Sequence, residues 1–137
     1  MELEKEIFSK CTNSNEQGNM GLTDAIRYFA WNRYTISTPL NDSQEYDLLV
    51  ERKDVGVKKV QVKTTSYKRY DDVYVVAMRT KARNYVKTAN TLDYDLLYVL
   101  CDNCDTYLIP KKDIKNLKNC LTLGKRYQKY KITKIIQ

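Results

Sequence analysis

The stretch Tyr46–Thr65, YDLLVERKDVGVKKVQVKTT, predicts a β-hairpin. Tyr46–Glu51 is apolar and rich in residues that favour strands, and Lys58–Thr64 alternates between two kinds of side chain as a strand does. Between them, Lys53–Gly56 has the composition of a turn. We therefore expect two antiparallel strands joined by a short connection.

The predicted hairpin brings three polar side chains together. Side chains alternate along a strand, so Gln61 and Lys63 leave one face while Val60 and Val62 point into the core. Asp47 interrupts the apolar first strand, where a carboxylate is costly unless it is paired or binds a metal. The hairpin therefore predicts a cation site at Asp47, Gln61 and Lys63.

A site of this composition suits the hydrolysis of phosphodiester bonds. Magnesium usually takes only one or two protein carboxylates and keeps several waters, so Asp47 with carbonyl oxygens can hold it. Lys63 can orient or deprotonate the attacking water and stabilise charge on the phosphate. Gln61 offers only a neutral oxygen, so we do not expect tight metal binding without substrate. The structural alternative is that Asp47 caps a turn and the other two side chains form a solvated face.

The same residues resemble a known family. Asp47 followed by Gln61-Val62-Lys63 after a hairpin, and preceded by a helix and Tyr34–Pro39, resembles PD-(D/E)XK nucleases. The similarity is strongest to the branch associated with group I introns, in which a glutamine commonly replaces the first acidic residue of the final motif. It extends over roughly Gly18–Thr65 and continues weakly through Leu96–Ile114.

This resemblance implies an α/β fold with a restriction-endonuclease-like core, in which helices flank a central mixed sheet of about five or six strands. It implies that Asp47 is the metal-binding aspartate, Gln61 the variant ligand position and Lys63 the catalytic lysine. The metal ligands would be Asp47, Gln61 and the backbone carbonyl of Val62, and the ion would be Mg²⁺ or Mn²⁺.

The helix before the hairpin departs from the family pattern at one position. Ser14 and Gln17 have the spacing of a capping box, which predicts a helix from about Asn15. Related helices often place a glutamate directly after a glycine, whereas here Gly21 is followed by Leu22. The predicted core-facing stripe of this helix is Leu22, Ala25, Ile26 and Phe29.

Asn19 offers a neutral replacement for the missing helix glutamate. Asn19 and Leu22 are three residues apart and fall on nearly the same side of the helix, whereas Asp24 points away from Leu22. The alternative is that Leu22 simply packs and Asn19 faces water.

Composition narrows the class of partner. The chain has 137 residues and a net charge of +7, which predicts a single domain over residues 1–137 with a polyanionic partner, nucleic acid before membrane. Residues 1–13 form a peripheral N-terminal segment in this interpretation. The absence of histidine excludes histidine bases and histidine-ligated zinc.

The acidic start, MELEKEIF, is unlike a signal peptide, so we expect a cytoplasmic, intracellular protein of a bacterial or phage-like context, with no membrane partner.

Basic residues alternate with aromatic ones after the hairpin, as in SYKRYDD. Basic and aromatic side chains together suit phosphate contact and stacking on bases. The alternative is a solvated loop. The predicted DNA-binding residues are Lys68, Arg69, Arg79, Lys81 and Arg83.

The second half of the chain predicts another hairpin. Its strands are Tyr94–Leu100 and Thr106–Ile109, and a short helix over Lys111–Lys118 follows. The tail at Ile132–Ile136 predicts a last strand or an exposed edge. Cys101 and Cys104 have zinc-knuckle spacing but lie at the predicted turn, so we expect reduced thiols.

The leading functional hypothesis is a metal-dependent DNA endonuclease similar to homing endonucleases. Compact nucleases that cut both strands generally need two active sites, so we expect a homo-oligomer, a dimer or a tetramer. The alternatives are a Holliday junction resolvase, a DNA-binding module of the same fold with weakened catalysis, and a protein-binding adaptor.

Overall fold

The computed structural model describes residues 6–41, 44–78, 80–82, 85–87, 93–117 and 119–133, with the backbone alone for 80–82 and 85–87. Within these residues there is one α-helix, α1 (Ser14–Trp31), and two 3-10 helices, Lys111–Asp113 and Lys125–Tyr130. The strands are β1 (Thr35–Ser37), β2 (Leu48–Arg52), β3 (Gly56–Thr65), β4 (Val75–Ala77), β5 (Thr80–Ala82), β6 (Tyr85–Lys87), β7 (Leu96–Cys101), β8 (Thr106–Pro110) and β9 (Cys120–Thr122).

A five-stranded mixed sheet in the order β1-β2-β3-β7-β8 forms the centre of the fold. β3 and β7 are parallel, and the other neighbours in this sheet are antiparallel. The predicted hairpin is confirmed, since β2 pairs with β3 from Leu48 opposite Val60 to Arg52 opposite Gly56. Gly56 has a φ of +87°, which a residue with a side chain adopts only with strain. This mixed sheet, together with the helix α1, confirms the predicted α/β fold class.

The capping box of α1 lies one residue earlier than the sequence pattern predicts. Asn13 is the N-cap, and its side chain accepts the N–H of Glu16 at 3.0 Å. The Glu16 carboxylate in turn accepts the N–H of Thr12, the residue before the N-cap, at 2.9 Å. Gln17, predicted to close the box, instead donates its Nε2 to Thr64 Oγ1 of β3 at 3.0 Å. A tertiary contact therefore replaces the local one.

The predicted apolar stripe of α1 packs on one face of the central sheet. Ala25 and Phe29 are completely buried, and Leu22 and Ile26 are partly buried against the same cluster. Tyr98 of β7 lies beneath them. Removing a buried aromatic ring such as that of Phe29 typically costs about 3–5 kcal/mol, so this contact is a main source of the stability that holds α1 in place.

The second face of the sheet is covered differently from the first. In the described part of the chain its cover consists of the small β4–β9 sheet and 3-10 turns rather than α-helices. The predicted helix over Lys111–Lys118 is a 3-10 helix over Lys111–Asp113 followed by turns, and residue 118 lies outside the described residues. Ile114 is buried, and Leu117 packs on the same cluster. Their spacing of three matches a 3-10 turn, in which such side chains align.

The N-terminal segment docks on the turn between β7 and β8. Ile7 donates its N–H to the carbonyl of Asp102 at 2.8 Å, and Phe8 donates its N–H to the Asp102 carboxylate at 2.7 Å. The Phe8 side chain is buried. At the other end, the N–H of Ile132 bonds to the carbonyl of Thr106, while the rest of the predicted final strand, residues 134–136, lies outside the described residues. None of the described helices has the length and apolar content needed to cross a membrane.

Candidate active site

The structure brings Asp47, Gln61 and Lys63 to the same side of β3. Asp47 directly precedes β2, and its N–H donates to the carbonyl of Val60 at 2.8 Å, so its backbone is bonded to β3. Asp47 Oδ2 accepts Gln61 Nε2 at 3.1 Å and the N–H of Val62 at 2.8 Å. The Asp47 carboxylate is therefore held against the strand that carries Lys63.

Asp47 and Lys63 line a cleft of about 720 Å³ between α1 and the sheet, and Gln61 is joined to it through its hydrogen bond to Asp47. Asp47, Val62, Lys63 and Thr64 form the wall on the β3 side, and Ala77 of β4 borders it. The facing wall is the first half of α1, with the residues Ser14, Asn15, Gly18, Asn19 and Leu22. A smaller cavity of about 350 Å³ shares Leu22 and Asp47 with the cleft and continues it toward the loop after β1.

Asp47 and Lys63 are only partly exposed in the cleft. Burial raises the pKa of the Asp47 carboxyl, although the Val62 N–H and the Lys63 charge act to lower it. Burial lowers the pKa of the Lys63 amine, although the Asp47 charge acts to raise it. The side-chain amine of Lys63 forms no hydrogen bond or ion pair with the described residues. The site therefore combines a carboxylate that favours a nearby cation with an amine that releases its proton more readily than an exposed lysine.

A glycine sets the distance between α1 and β3. A Cβ atom at Gly21 would lie 2.4 Å from Thr64 Cγ2, so no larger residue fits without movement. Because Gly21 faces β3, Leu22 is turned toward the cleft and lines it together with Asp47. Asn19 also lines the cleft and is exposed. The helix position after the glycine thus borders the metal-site candidate.

Asp24 has a structural role, as its predicted direction away from Leu22 implies. Its carboxylate accepts the hydroxyl of Tyr98 at 2.6 Å and pairs with Arg27 at 2.9 Å. Asp24 therefore secures α1 to β7 and takes no part in the cleft.

A family model described as PD-(D/E)XK endonuclease matches residues 12–136 of the chain. The match spans α1, the central sheet and the cleft. The chain belongs to the PD-(D/E)XK endonuclease family. The predicted resemblance is therefore confirmed at the level of the family.

A solved structure similar to this PD-(D/E)XK endonuclease is that of a bacterial homing endonuclease, I-Ssp6803I. The two chains share 21% sequence identity with a TM-score of 0.69, over 87% of this chain and 88% of the other. At that identity the likeness shows the shared fold. A comparison with curated proteins gives no match.

The cleft of this PD-(D/E)XK endonuclease offers oxygen ligands for a hard divalent ion. Asp47 Oδ1 and Gln61 Oε1 accept no hydrogen bond from the described residues. The Val62 carbonyl lies on the same edge of β3 as its N–H, because a strand residue directs both backbone groups to one side. A carboxylate, an amide and a backbone carbonyl are all ligands that Mg²⁺ accepts. The donor set therefore fits a divalent cation with one protein charge.

Lys68 and Arg69 lie in the loop after β3 and are exposed, and both are engaged by acidic neighbours. Arg69 makes two hydrogen bonds to Asp71, at 3.1 and 2.6 Å, and Lys68 Nζ lies 3.9 Å from Asp72. The structure does not bring these two basic residues to the cleft wall. Their role in DNA binding stays a prediction.

The other predicted DNA-binding residues follow β4. Lys81 lies in β5, shortly after Ala77 at the border of the cleft, and its side chain is not described. Arg79 and Arg83 lie outside the described residues. This basic segment therefore begins close to the cleft, because it follows β4 directly along the chain.

Helical spacing in the sequence places Asn15, Asn19 and Leu22 on one side of α1, and the structure adds Ser14 and Gly18 to this wall of the cleft. Asn15, Gly18, Asn19 and Leu22 recur at helical spacing and form one face. A Cβ atom at Gly18 would meet nothing within 4 Å, so this glycine leaves open space beside the site. The small and polar character of these positions is the signal that identifies this wall.

The cysteines do not converge on a metal site. Cys101 is buried in the cluster beneath β4 and β9, which raises the pKa of its thiol to about 12, whereas Cys104 borders a cavity beside α1. In the described ranges no three Cys, Asp, Glu or His side chains are grouped so that they can hold a metal ion. The spacing of Cys101 and Cys104 reflects the turn between β7 and β8.

Proposed function

We propose that this chain is a divalent-metal-dependent endonuclease that hydrolyses DNA in the cleft between α1 and β3. The observation that carries the proposal is the convergence of Asp47, Gln61 and Lys63, with two shifted pKa values, inside the family's matched region. The net charge of +7 supports a polyanionic substrate.

In this mechanism each cleft residue has a defined part. Asp47 Oδ1, Gln61 Oε1 and the Val62 carbonyl would hold Mg²⁺ or Mn²⁺. When bound, such an ion polarises the phosphate and lowers the pKa of a coordinated water. The N–H of Val62 keeps the Asp47 carboxylate in its orientation, since it donates to Oδ2 at 2.8 Å.

Lys63 is the residue that acts on the attacking water. Burial lowers the pKa of its amine, so a larger fraction is neutral near pH 7 than for an exposed lysine. The neutral amine can accept a proton from water, and the resulting ammonium then stabilises negative charge on the phosphate. The partly buried cleft strengthens both effects, because charges interact more strongly where water is reduced.

The likeness to a bacterial homing endonuclease favours a homing role over Holliday junction resolution. Cleavage of both strands by such a compact enzyme needs two active sites, so we propose a symmetric homo-oligomer, a dimer or a tetramer. Light scattering of the purified protein measures this assembly directly. A monomer that converts supercoiled plasmid only to the nicked form would contradict it.

The deciding experiment incubates purified protein with supercoiled plasmid and, separately, with a branched DNA junction. Wild type should cut plasmid with Mg²⁺ or Mn²⁺ and not with EDTA, and Asp47→Ala should abolish cutting. Asp54→Ala is the matched control, because Asp54 is an exposed carboxylate at the β2–β3 turn that pairs with Arg52. Activity equal to wild type in Asp47→Ala would disprove the site assignment.

The second candidate function is a DNA-binding module with weakened catalysis, and the position of Leu22 favours it. Leu22 borders the cleft where a second carboxylate would strengthen metal binding. DNA binding without cleavage in either metal would therefore identify the chain as a DNA-binding module with weakened catalysis.

A further inference from the structure

The loop between β3 and β4, residues 66–74, presents two tyrosines to solvent. We call it the tyrosine loop. Tyr70 is 99% exposed and Tyr67 is 67% exposed. A single exposed aromatic residue on a protein surface is ordinary. Here two exposed rings lie three residues apart in one loop whose backbone is held by hydrogen bonds.

Backbone hydrogen bonds give the tyrosine loop a defined conformation. The N–H of Val75 donates to the Tyr67 carbonyl at 3.0 Å, and the N–H of Arg69 donates to the Val73 carbonyl at 2.9 Å. The N–H of Asp72 closes the turn on the Arg69 carbonyl at 3.1 Å, and Asp72 has a φ of +61°. The tip that carries Tyr70 is therefore held as a tight hairpin turn.

The charges of the tyrosine loop cancel. Arg69 is bonded twice to Asp71, and Lys68 lies within 4 Å of Asp72, so the positive charges of the loop face acidic partners in the loop itself. A segment of zero net charge gains little from phosphate neutralisation. What this loop offers to a nucleic acid is aromatic surface.

Both ends of the tyrosine loop connect to strands that line the cleft. β3 carries Lys63 shortly before the loop begins, and β4 carries Ala77 shortly after it ends. Thr65 Oγ1 bonds to the Val75 carbonyl at 2.5 Å and ties the two strands together at the base of the loop. The tyrosine loop therefore lies at the end of β3 that follows Lys63 along the chain.

We propose that Tyr67 and Tyr70 stack on unpaired bases of the DNA strand that leaves the cleft, so that the tyrosine loop holds substrate by aromatic contact rather than by charge. This inference rests on the proposed DNA substrate. Stacking is tolerant of sequence because every base has a π-face. It also adds affinity that does not depend on counterion release, so its salt dependence differs from that of basic residues.

The test measures binding to a fluorescent oligothymidylate strand and to a mixed-sequence duplex in EDTA, by anisotropy over a salt series. Tyr70→Ala should weaken binding to the single strand about fivefold or more, with the slope of log affinity against log salt unchanged. Tyr70→Phe should retain the affinity. Trp31→Ala is the matched control, because Trp31 is also exposed but lies at the far end of α1 from the cleft.

Two outcomes would overturn the inference. One is wild-type affinity in both Tyr67→Ala and Tyr70→Ala, and the other is a loss in these variants that comes with a flatter salt slope. Either outcome, with wild type still binding DNA, leaves the proposed nuclease function standing. A wild-type protein that binds neither oligothymidylate nor duplex would defeat both proposals.

Discussion

The cleft and the tyrosine loop both carry acidic and basic side chains, and they handle these charges in opposite ways. In the loop, Arg69 and Asp71 are exposed and bonded to each other, so the pairing raises the pKa of Arg69 and lowers that of Asp71. In the cleft, Asp47 and Lys63 are partly buried, and burial shifts the pKa of each toward its neutral form.

This difference separates charges that shape a loop from charges that perform chemistry. An exposed ion pair contributes little to stability, but it can select one loop conformation. A partly buried charge costs stability unless its partners offset the burial, and such groups with shifted pKa values concentrate at functional sites. The contrast can be tested at each of its parts.

The largest effect is expected at Lys63. Lys63→Met should lower the rate of DNA cleavage about 100-fold or more, since a general base typically supplies that factor. Lys63→Arg should fail as well, because a guanidinium is effectively never a base. The measurement is plasmid cleavage under single-turnover conditions, with circular dichroism to show that both variants fold. Lys53→Met is the matched control and should cut like wild type, because Lys53 is an exposed lysine in the turn between β2 and β3.

A second effect concerns Leu22. Leu22→Glu adds a carboxylate beside Asp47, so it should lower the stability of the metal-free protein by about 3 kcal/mol and raise metal affinity. Metal then restores part of the stability, because a ligand that binds the folded state stabilises it by mass action. The expected result is a lower melting temperature in EDTA than wild type and a larger upward shift with Mn²⁺. A destabilised variant with the wild-type metal response would place Leu22 in the core alone and shift the search to Asn19.

A smaller effect tests whether close packing sets the width of the cleft. Gly21→Ala should destabilise the protein by about 1–3 kcal/mol, because the new methyl group meets Thr64 Cγ2. Thr64→Ser removes that methyl group and keeps the hydroxyl that Gln17 bonds, so the double variant should recover most of the loss. Urea unfolding measures each step. Gly18→Ala, where space is open, should instead be neutral or stabilise by up to about 1 kcal/mol.

The smallest effect is a pair of opposite pH dependences. The folded-state pKa of Asp47 is raised above 3.8, so its contribution to stability is complete below that pH and is lost as the pH rises through the folded-state pKa. The folded-state pKa of Asp71 is lowered, so its contribution is present above 3.8 and is lost as the pH falls through the folded-state pKa.

Relative to wild type, Asp47→Asn should therefore gain stability as the pH rises from about 3 to about 7, and Asp71→Asn should lose stability over the same range. Urea unfolding at several pH values measures both free energies. Equal pH dependence in the two variants would remove the electrostatic distinction between the cleft and the tyrosine loop.

Much of the site can be predicted from sequence because its geometry is local. Alternation along β3 places Gln61 and Lys63 on one face, and the short turn closed by Gly56 folds β2 back so that Asp47 comes within hydrogen-bond distance of Gln61. The apolar stripe of α1 follows from helical spacing in the same way. These features depend on neighbours within one element or one hairpin, which is the range over which side-chain pattern acts.

Other features arise only from contacts between distant parts of the chain. Asn13 and Ser14 are both good caps, and the choice between them follows when Gln17 bonds to Thr64, which lies on a strand across the core. The sequence SYKRYDD suggests a basic patch, but in the folded chain Arg69 forms an ion pair with Asp71. Only the tertiary structure shows that α1 approaches β3 closely at Gly21, where there is no side chain, and that Leu22 then faces the cleft. Pattern along the chain thus determines which side chains share a face, whereas packing across the core determines which of them meet a partner and which stay available for chemistry.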